Sequence, residues 1–411
     1  MPHLPVRLGL LALLAACTPP ATPDNRAPTV SAGDDVGARP AEAVQLGGAA
    51  ADPDGDPLSA TWVQSAGAAE VTFAEKNALT TTATLPEVGL YTLTLSVTDG
   101  AATVSDDVVV TVEDGEAATT GSWEALPPTS EARQEVSYVQ LGGLFYLAGG
   151  GTLHEVYDPV AQTWATLEPL PRALDHIQGV SVSGKIYYVG GNVGGNLREE
   201  TNTIYIYDPV TDGFSEGAPM PRGRGAGGVA VFDGKIYYAG GLSDFEAQPW
   251  FDVYDPATDT WTTLPEMPRP RDHFHAAVLD GVFYAIGGRD ANINATNAFV
   301  DAFNFATQTW TTLDIDLPTE RGGFASAVLD GEILIIGGEG GGTTYAEVEA
   351  YNPATNTWRT LAPMPTPRHG IQAAVCGNGV YIAAGGIRQG VGPSTAHEVL
   401  FLGEPTACTA D

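Results

Sequence analysis

The segment GSWEALPPTSEAR (121–133) reads as the end of a structural unit that the chain has not yet begun. DTWTTLPEMPRPR (259–271) and NTWRTLAPMPTPR (356–368) share its pattern: a Trp, a Leu, prolines, then an Arg ten residues after the Trp. Those two follow an apolar run that closes on a Gly pair, and 121–133 does not. The converse occurs at the other end. After Gly385–Gly386 the chain continues STAHEVLFLG (394–403) and no Trp follows. The segment missing from the last unit is therefore the one stranded at 121–133.

Between these ends the units repeat. Gly pairs stand at 149–150, 190–191, 240–241, 287–288, 337–338 and 385–386, behind runs such as KIYYVGG, KIYYAGG, VFYAIGG and ILIIGG. Five are followed by versions of one motif: VYDPVAQTW (156–164), IYDPVTDGF (206–214), VYDPATDTW (253–261), AFNFATQTW (302–310) and AYNPATNTW (350–358). Asp-Pro or Asn-Pro nucleates a turn between two strands. The Gly pair lets backbones approach where a side chain would clash. The Trp, or Phe214, is an apolar plug between sheets. Four short strands at a period of 41 to 50 residues make a propeller blade. The sequence thus predicts six blades, the last closed by the strand around Trp123, which leaves no free sheet edge. The Gly pairs, Tyr-Asp-Pro turns, Trp and following PMP resemble kelch repeats over about 280 residues.

Residues 28–114 have a different rhythm. In LYTLTLSVTDG (90–100) Tyr91, Leu93, Leu95 and Val97 share one face. With VSDDVVVTVE (104–113), VQLGG (44–48) and LSATWVQ (58–64), this predicts a β-sandwich with Trp62 in its core. The order APTVSAGDD, VQLGGAAADPDGDPLSATWVQ, YTLTLSVTDGAATVSDDVVVTV resembles the PKD family of Ig-like domains, although WVQSAGAAEV replaces the usual Trp-x-Phe-Gly-Asp-Gly. Asp52, Asp54 and Asp56 are a candidate Ca²⁺ site or simply a solvated turn. The fold class expected is all-β: a six-bladed kelch propeller preceded by an Ig-like sandwich.

The N-terminus reads as an export signal over 1–17: Arg7, then the apolar LGLLALLA (8–15), too short to span a bilayer. LAAC (14–17) resembles the lipobox of bacterial lipoproteins, which implies cleavage before Cys17 and lipidation of its thiol. An ordinary secretory signal is the alternative. Thr18, where inner-membrane retention would need Asp, implies the outer membrane of a Gram-negative bacterium, on either its periplasmic or its surface side. Residues 18–27 form a Pro-rich tether, 28–114 the sandwich, 115–120 a linker and 121–411 the propeller. An exported chain permits a disulfide. Cys376 ends the innermost strand of the last blade and Cys408 lies six residues beyond the third strand's end near Leu402, so these two are expected to pair.

The formal net charge is −32, with three lysines among 18 basic residues, which excludes a nucleic-acid interface. Contact with the membrane is expected through the lipid anchor alone. Arg133, Arg224, Arg271 and Arg321 each precede their Gly pair by 16 residues and Arg368 by 17, while Leu174 takes that slot in the remaining blade, with Arg172 two residues earlier. In kelch propellers this loop opens at one mouth of the central channel. The resemblance therefore places five arginines there, either as an anion site or as partners of nearby acids. His273 and His275 alternate with Arg271, and His176 and Glu135 take the slot of His273 in other blades. They are candidate ligand or metal groups, or wedges between blades.

No cofactor is called for, and the constellation of galactose-oxidase-like copper enzymes cannot be assembled. The leading expectation is a non-enzymatic, lipid-anchored binding protein for a protein or glycan, anionic if the arginines face it. The alternative is a sugar-processing propeller, similar to bacterial sialic-acid mutarotases, acting as a mutarotase or epimerase through Arg133, Glu135, Arg271 and His273.

Overall fold

The computed structural model describes residues 25–112 and 120–408, apart from Asp34, Arg39, Pro40 and Glu42. The export signal, Cys17 and most of the tether and linker lie outside the described residues. Every regular element described is a β-strand. The chain divides into two compact units, 1–118 and 119–411.

In the first unit, Ser59–Ala66, Gly89–Thr98, Thr103–Val112 and Val36–Ala38 form one sheet, and Ala43–Gly47, Thr80–Thr84 and Thr72–Phe73 form the other. The alternation in 90–100 does what its period requires: Tyr91, Leu93, Leu95 and Val97 are all fully buried. Trp62 is buried with them and donates its indole N–H to Leu79 O. The acidic run is closed on itself. Asp52 Oδ1 accepts the backbone N–H groups of Asp54 and Asp56, and Arg26 binds both Asp54 oxygens. The Arg26 guanidinium accordingly holds the Asp54 carboxyl below its ordinary value. Asp54 is thus committed to Arg26, and the run reads as a turn rather than a Ca²⁺ loop.

The second unit contains six four-stranded sheets among the described residues. The first is Val136–Leu141, Leu144–Gly149, Glu155–Asp158 and Thr163–Thr166; four more follow in register with the Gly pairs. The sixth takes Ala373–Cys376, Gly379–Ala383 and His397–Phe401 from the end of the chain and Ser122–Ala125 from its start. Trp123 lies opposite Leu400 in that pairing. The innermost strands touch in cyclic order, the sixth returning to the first. The ring is closed by two segments that are about 275 residues apart in the chain.

The Trp plugs latch as well as fill. Trp123, Trp164, Trp261 and Trp310 each donate an indole N–H to a carbonyl leading out of the preceding sheet: Ala362, Pro127, Ala218 and Pro265, at 2.7–3.0 Å. The Gly pairs sit where the sheets meet most closely. A Cβ on Gly240, at φ +63°, would stand 2.5 Å from Arg271 O of the next sheet. Cys376 and Cys408 are joined in a disulfide, and the returning tail is also held by Asn378, whose side chain bonds Leu402 O, Glu404 O and Thr406.

Trp123 is half-buried, so Trp123→Ala should cost about 2–3 kcal/mol, less than a fully buried aromatic would. Thermal unfolding checks this; an unchanged melting temperature would mean that the first strand does not close the ring.

Candidate functional site

The five arginines do not form a channel-mouth anion cluster. Each is buried and paired with an acid on the third strand of its own sheet: Arg133 with Glu155, Arg224 with Asp252, Arg271 with Asp301, Arg321 with Glu349 and Arg368 with Glu398. Four of them also donate to a second-strand carbonyl: Tyr238, Ala285, Ile335 and Ile382. Burial lowers the pKa of Arg271 to about 10, against the pull of Asp301. Their backbones are bound from the other side. Gly191, Gly241, Gly288, Gly338 and Gly385 donate to the carbonyls of Arg224, Arg271, Arg321, Arg368 and Arg133. The arginines tie strands within a sheet and sheets to one another.

The pairing has a sequence signal. Four of the acids stand three residues before the turn Asp or Asn, in EVYD, DVYD, DAFN and EAYN, and the blade with Leu174 in place of Arg has Tyr205 in place of the acid. Leu174 and Tyr205 are both buried in one core cluster.

Two residues past the arginine register lies the site. Glu135, His176, Ala226, His273, Gly323 and Gly370 occupy equivalent slots, all at φ between +50° and +65°. Their backbones form a circle. His176 N–H donates to Glu135 O, Ala226 to His176, His273 to Ala226, Gly323 to His273, Gly370 to Gly323, and Val136 N–H to Gly370 O, at 2.7–3.2 Å. The left-handed region is nearly free for glycine but strained for Glu and His, by about 1–3 kcal/mol each. Arg271, His273 and His275 therefore do not share a strand face. The chain is not extended at His273; Arg271 turns to Asp301, while His273 and His275 line the axis.

The side chains of three slots converge. Glu135, His176 and His273 bring one potential ligand atom each within 4.8 Å of one another. His176 Nδ1 bonds Asp175, 2.7 Å, and its Nε2 lies 3.5 Å from Glu135. His273 Nδ1 bonds Asp272, while its Nε2 accepts from Arg289 at 2.7 Å. His369 Nδ1 lies 3.3 Å from Glu135 and 3.6 Å from Glu339, which also binds Arg289 at 2.8 Å. An alternating chain of charge thus runs from Asp175 through His176, Glu135, His369 and Glu339 to Arg289 and Asp272.

Burial opposes ionisation of Glu135, but His176, His369 and His273 outweigh it and hold the carboxyl well below its ordinary range. Burial likewise opposes protonation of His176 and His369; Glu135 with Asp175, and Glu135 with Glu339, override it and raise both. For His273 burial and Arg289 win, lowering it to about 4. His275, against Gln178, is also lowered by burial to about 4. Above Glu135 and His176 opens a cleft of about 560 Å³, walled by Gln134, Asp175, Gly-rich turns and Pro393.

Asp175, Asp272, Arg289, Glu339 and His369 were not singled out from the sequence. A signal existed for four of them: Asp-His recurs in one register at 175–176 and 272–273, and Arg289 and Glu339 each follow a Gly pair. Nothing local marks His369, which meets Glu135 only because the first and sixth sheets are neighbours.

Because each register arginine neutralises a buried acid, Arg224→Ala, Arg271→Ala and Arg368→Ala should each destabilise by about 3–5 kcal/mol. Thermal melts test this; neutral or raised stability at two of the three would return the arginines to a ligand-facing role.

Comparison with known proteins agrees with this architecture. Residues 32–112 match a PKD domain family, residues 178–221 and 223–268 the Kelch motif, and residues 251–386 the KLHDC2/KLHL20/DRC7 Kelch-repeats domain. The chain is 33% identical over 304 residues to Kelch-like protein terF of Aspergillus terreus (strain NIH 2624 / FGSC A1156), a match spanning 66% of each protein. The solved structure titled "Structure of YjhT" superposes with a TM-score of 0.60 at 17% identity, covering 67% of this chain and 97% of that one. The chain therefore carries a PKD-like domain followed by kelch repeats folded as a propeller.

Proposed function

We propose that this is an exported, lipid-anchored binding protein, held through Cys17 in the outer membrane, whose propeller takes a glycan in the mouth cleft. The PKD-like unit lies between anchor and propeller in the chain and acts as a spacer. The observation that carries the reading is the ring of left-handed slots. Where Gly323 and Gly370 meet the backbone demand without strain, the chain keeps Glu135, His176 and His273, a cost expected of a functional site. The cleft above them has the volume of a small-ligand pocket.

The chemistry favours hydroxyl groups over anions. Glu135 and Asp175 accept, while Gln134 can donate. The register arginines are already neutralised, so no surplus positive charge faces the cleft. An uncharged glycan fits this better than a sialylated or uronate-bearing one. A sugar-processing reading has one observation in its favour: Glu135 and His176 place a base and an acid 3.5 Å apart at the cleft floor.

A glycan array probed with the full exported chain should retain neutral saccharides, and Glu135→Gln and Asp175→Asn should each weaken the best of them by about tenfold or more. Exclusive binding of acidic glycans, or undiminished binding by both variants, would refute the assignment. Anomer exchange followed by NMR on the bound sugar separates turnover from binding. For the anchor, Cys17→Ala should move the exported protein from the detergent to the aqueous phase in a detergent partition; unchanged partitioning would rule out lipidation at Cys17.

A further inference from the structure

We infer that Glu135, His176 and His273 form a binding site for one divalent transition-metal ion of the Zn²⁺ class at the axis of the propeller. This stands apart from the identity of any cleft ligand. Three observations support it.

The first is the donor set. One carboxylate and two imidazoles, with ligand atoms within 4.8 Å, suit Zn²⁺ and its neighbours. They surround a cavity of about 20 Å³, lined also by Gly323 and Gly370, which has room for one water-sized occupant. Gly370 is required there: a Cβ would stand 2.6 Å from Glu135 Oε1.

The second is the outer shell. Metal-bound histidines commonly donate their other ring N–H to a carboxylate, which fixes tautomer and orientation. Both histidines do so here in the same way, through the preceding aspartate: Asp175 to His176 Nδ1 and Asp272 to His273 Nδ1. His176 Nε2 is left for the centre, while His273 Nε2 is shared with Arg289. His369, 1% exposed and facing Glu135, makes no aligned hydrogen bond through either nitrogen and stands by as a further donor.

The third is charge. Four carboxylates, Glu135, Asp175, Asp272 and Glu339, meet a single permanent cation, Arg289. A divalent ion at the centre supplies positive charge that this cluster of carboxylates lacks. Arg289 is the competitor, since it donates to His273 Nε2. It can yield that nitrogen and keep Asp272 and Glu339.

The test titrates chelator-treated full-length protein with Zn²⁺ by calorimetry and with Co²⁺ by visible absorption. One ion per chain is expected, with intense Co²⁺ bands of four- or five-coordinate nitrogen and oxygen ligation. His176→Asn and His273→Asn should abolish that site, Asp175→Asn should weaken it by about 10- to 100-fold, and Arg289→Gln should tighten it. Absence of stoichiometric binding by the wild type, or only the pale spectrum of six-coordinate Co²⁺ on surface acids, overturns the proposal. So does unchanged affinity in folded His176→Asn and His273→Asn. If those variants fail to fold, the wild-type Co²⁺ spectrum and the Arg289→Gln affinity decide it.

Discussion

The circle of backbone hydrogen bonds around the axis constrains everything near it. Five of the six equivalent residues pass one N–H to the carbonyl of the neighbouring slot, and Val136 makes the sixth step. To do so each turns into the left-handed region. That conformation ends the connection that carries the register arginine and aims the next residues down the channel. It also brings the side chains of Glu135, His176 and His273 together at the mouth. Glycine satisfies the backbone demand alone, so the polar slots add strain that the backbone does not require.

A second layer of constraint lies just outside the circle. The arginines would repel one another across a ring and cost heavily to bury singly. Each is instead given an acid of its own sheet and, in four sheets, a strand carbonyl as well. Their charge is spent internally, so the mouth chemistry passes to residues with less symmetric placement. In a chain of formal charge −32 the effect is a neutral skeleton inside an acidic surface.

At the mouth, symmetry is broken in a way that makes a site. Ala226, Gly323 and Gly370 leave three slots bare, while Glu135, His176 and His273 fill the other three. The bare slots make room for the carboxylate and imidazoles of the filled ones, as the space between Gly370 and Glu135 shows. His273 holds its neutral tautomer between Asp272 and Arg289, and His176 sits between two carboxylates. Two residues of the same type in equivalent slots are therefore pushed in opposite directions, His176 up by Glu135 and Asp175 and His273 down by burial and Arg289.

How much of this was legible in the sequence follows from the range of each interaction. The repeat, the turn residues, the Trp plugs and the closing strand could all be read there, because period, proline and glycine act over a few residues and recur. The buried face of the PKD-like unit followed from its alternation. The arginine register was visible too, and so, three residues before their turns, were four of the acids. Which way the guanidinium groups point was not visible: a register gives position along the chain but not direction, and direction depends on packing between third strand and connection. His369 and Glu339 come from blades other than those of Glu135 and Arg289, and the four meet only at the axis. The sequence by itself determined a closed ring of repeats with polar groups in particular slots. Only the tertiary structure decided that the arginines serve the ring and the Glu–His cluster faces its mouth, because burial and charge compensation are settled between segments that meet only in the fold.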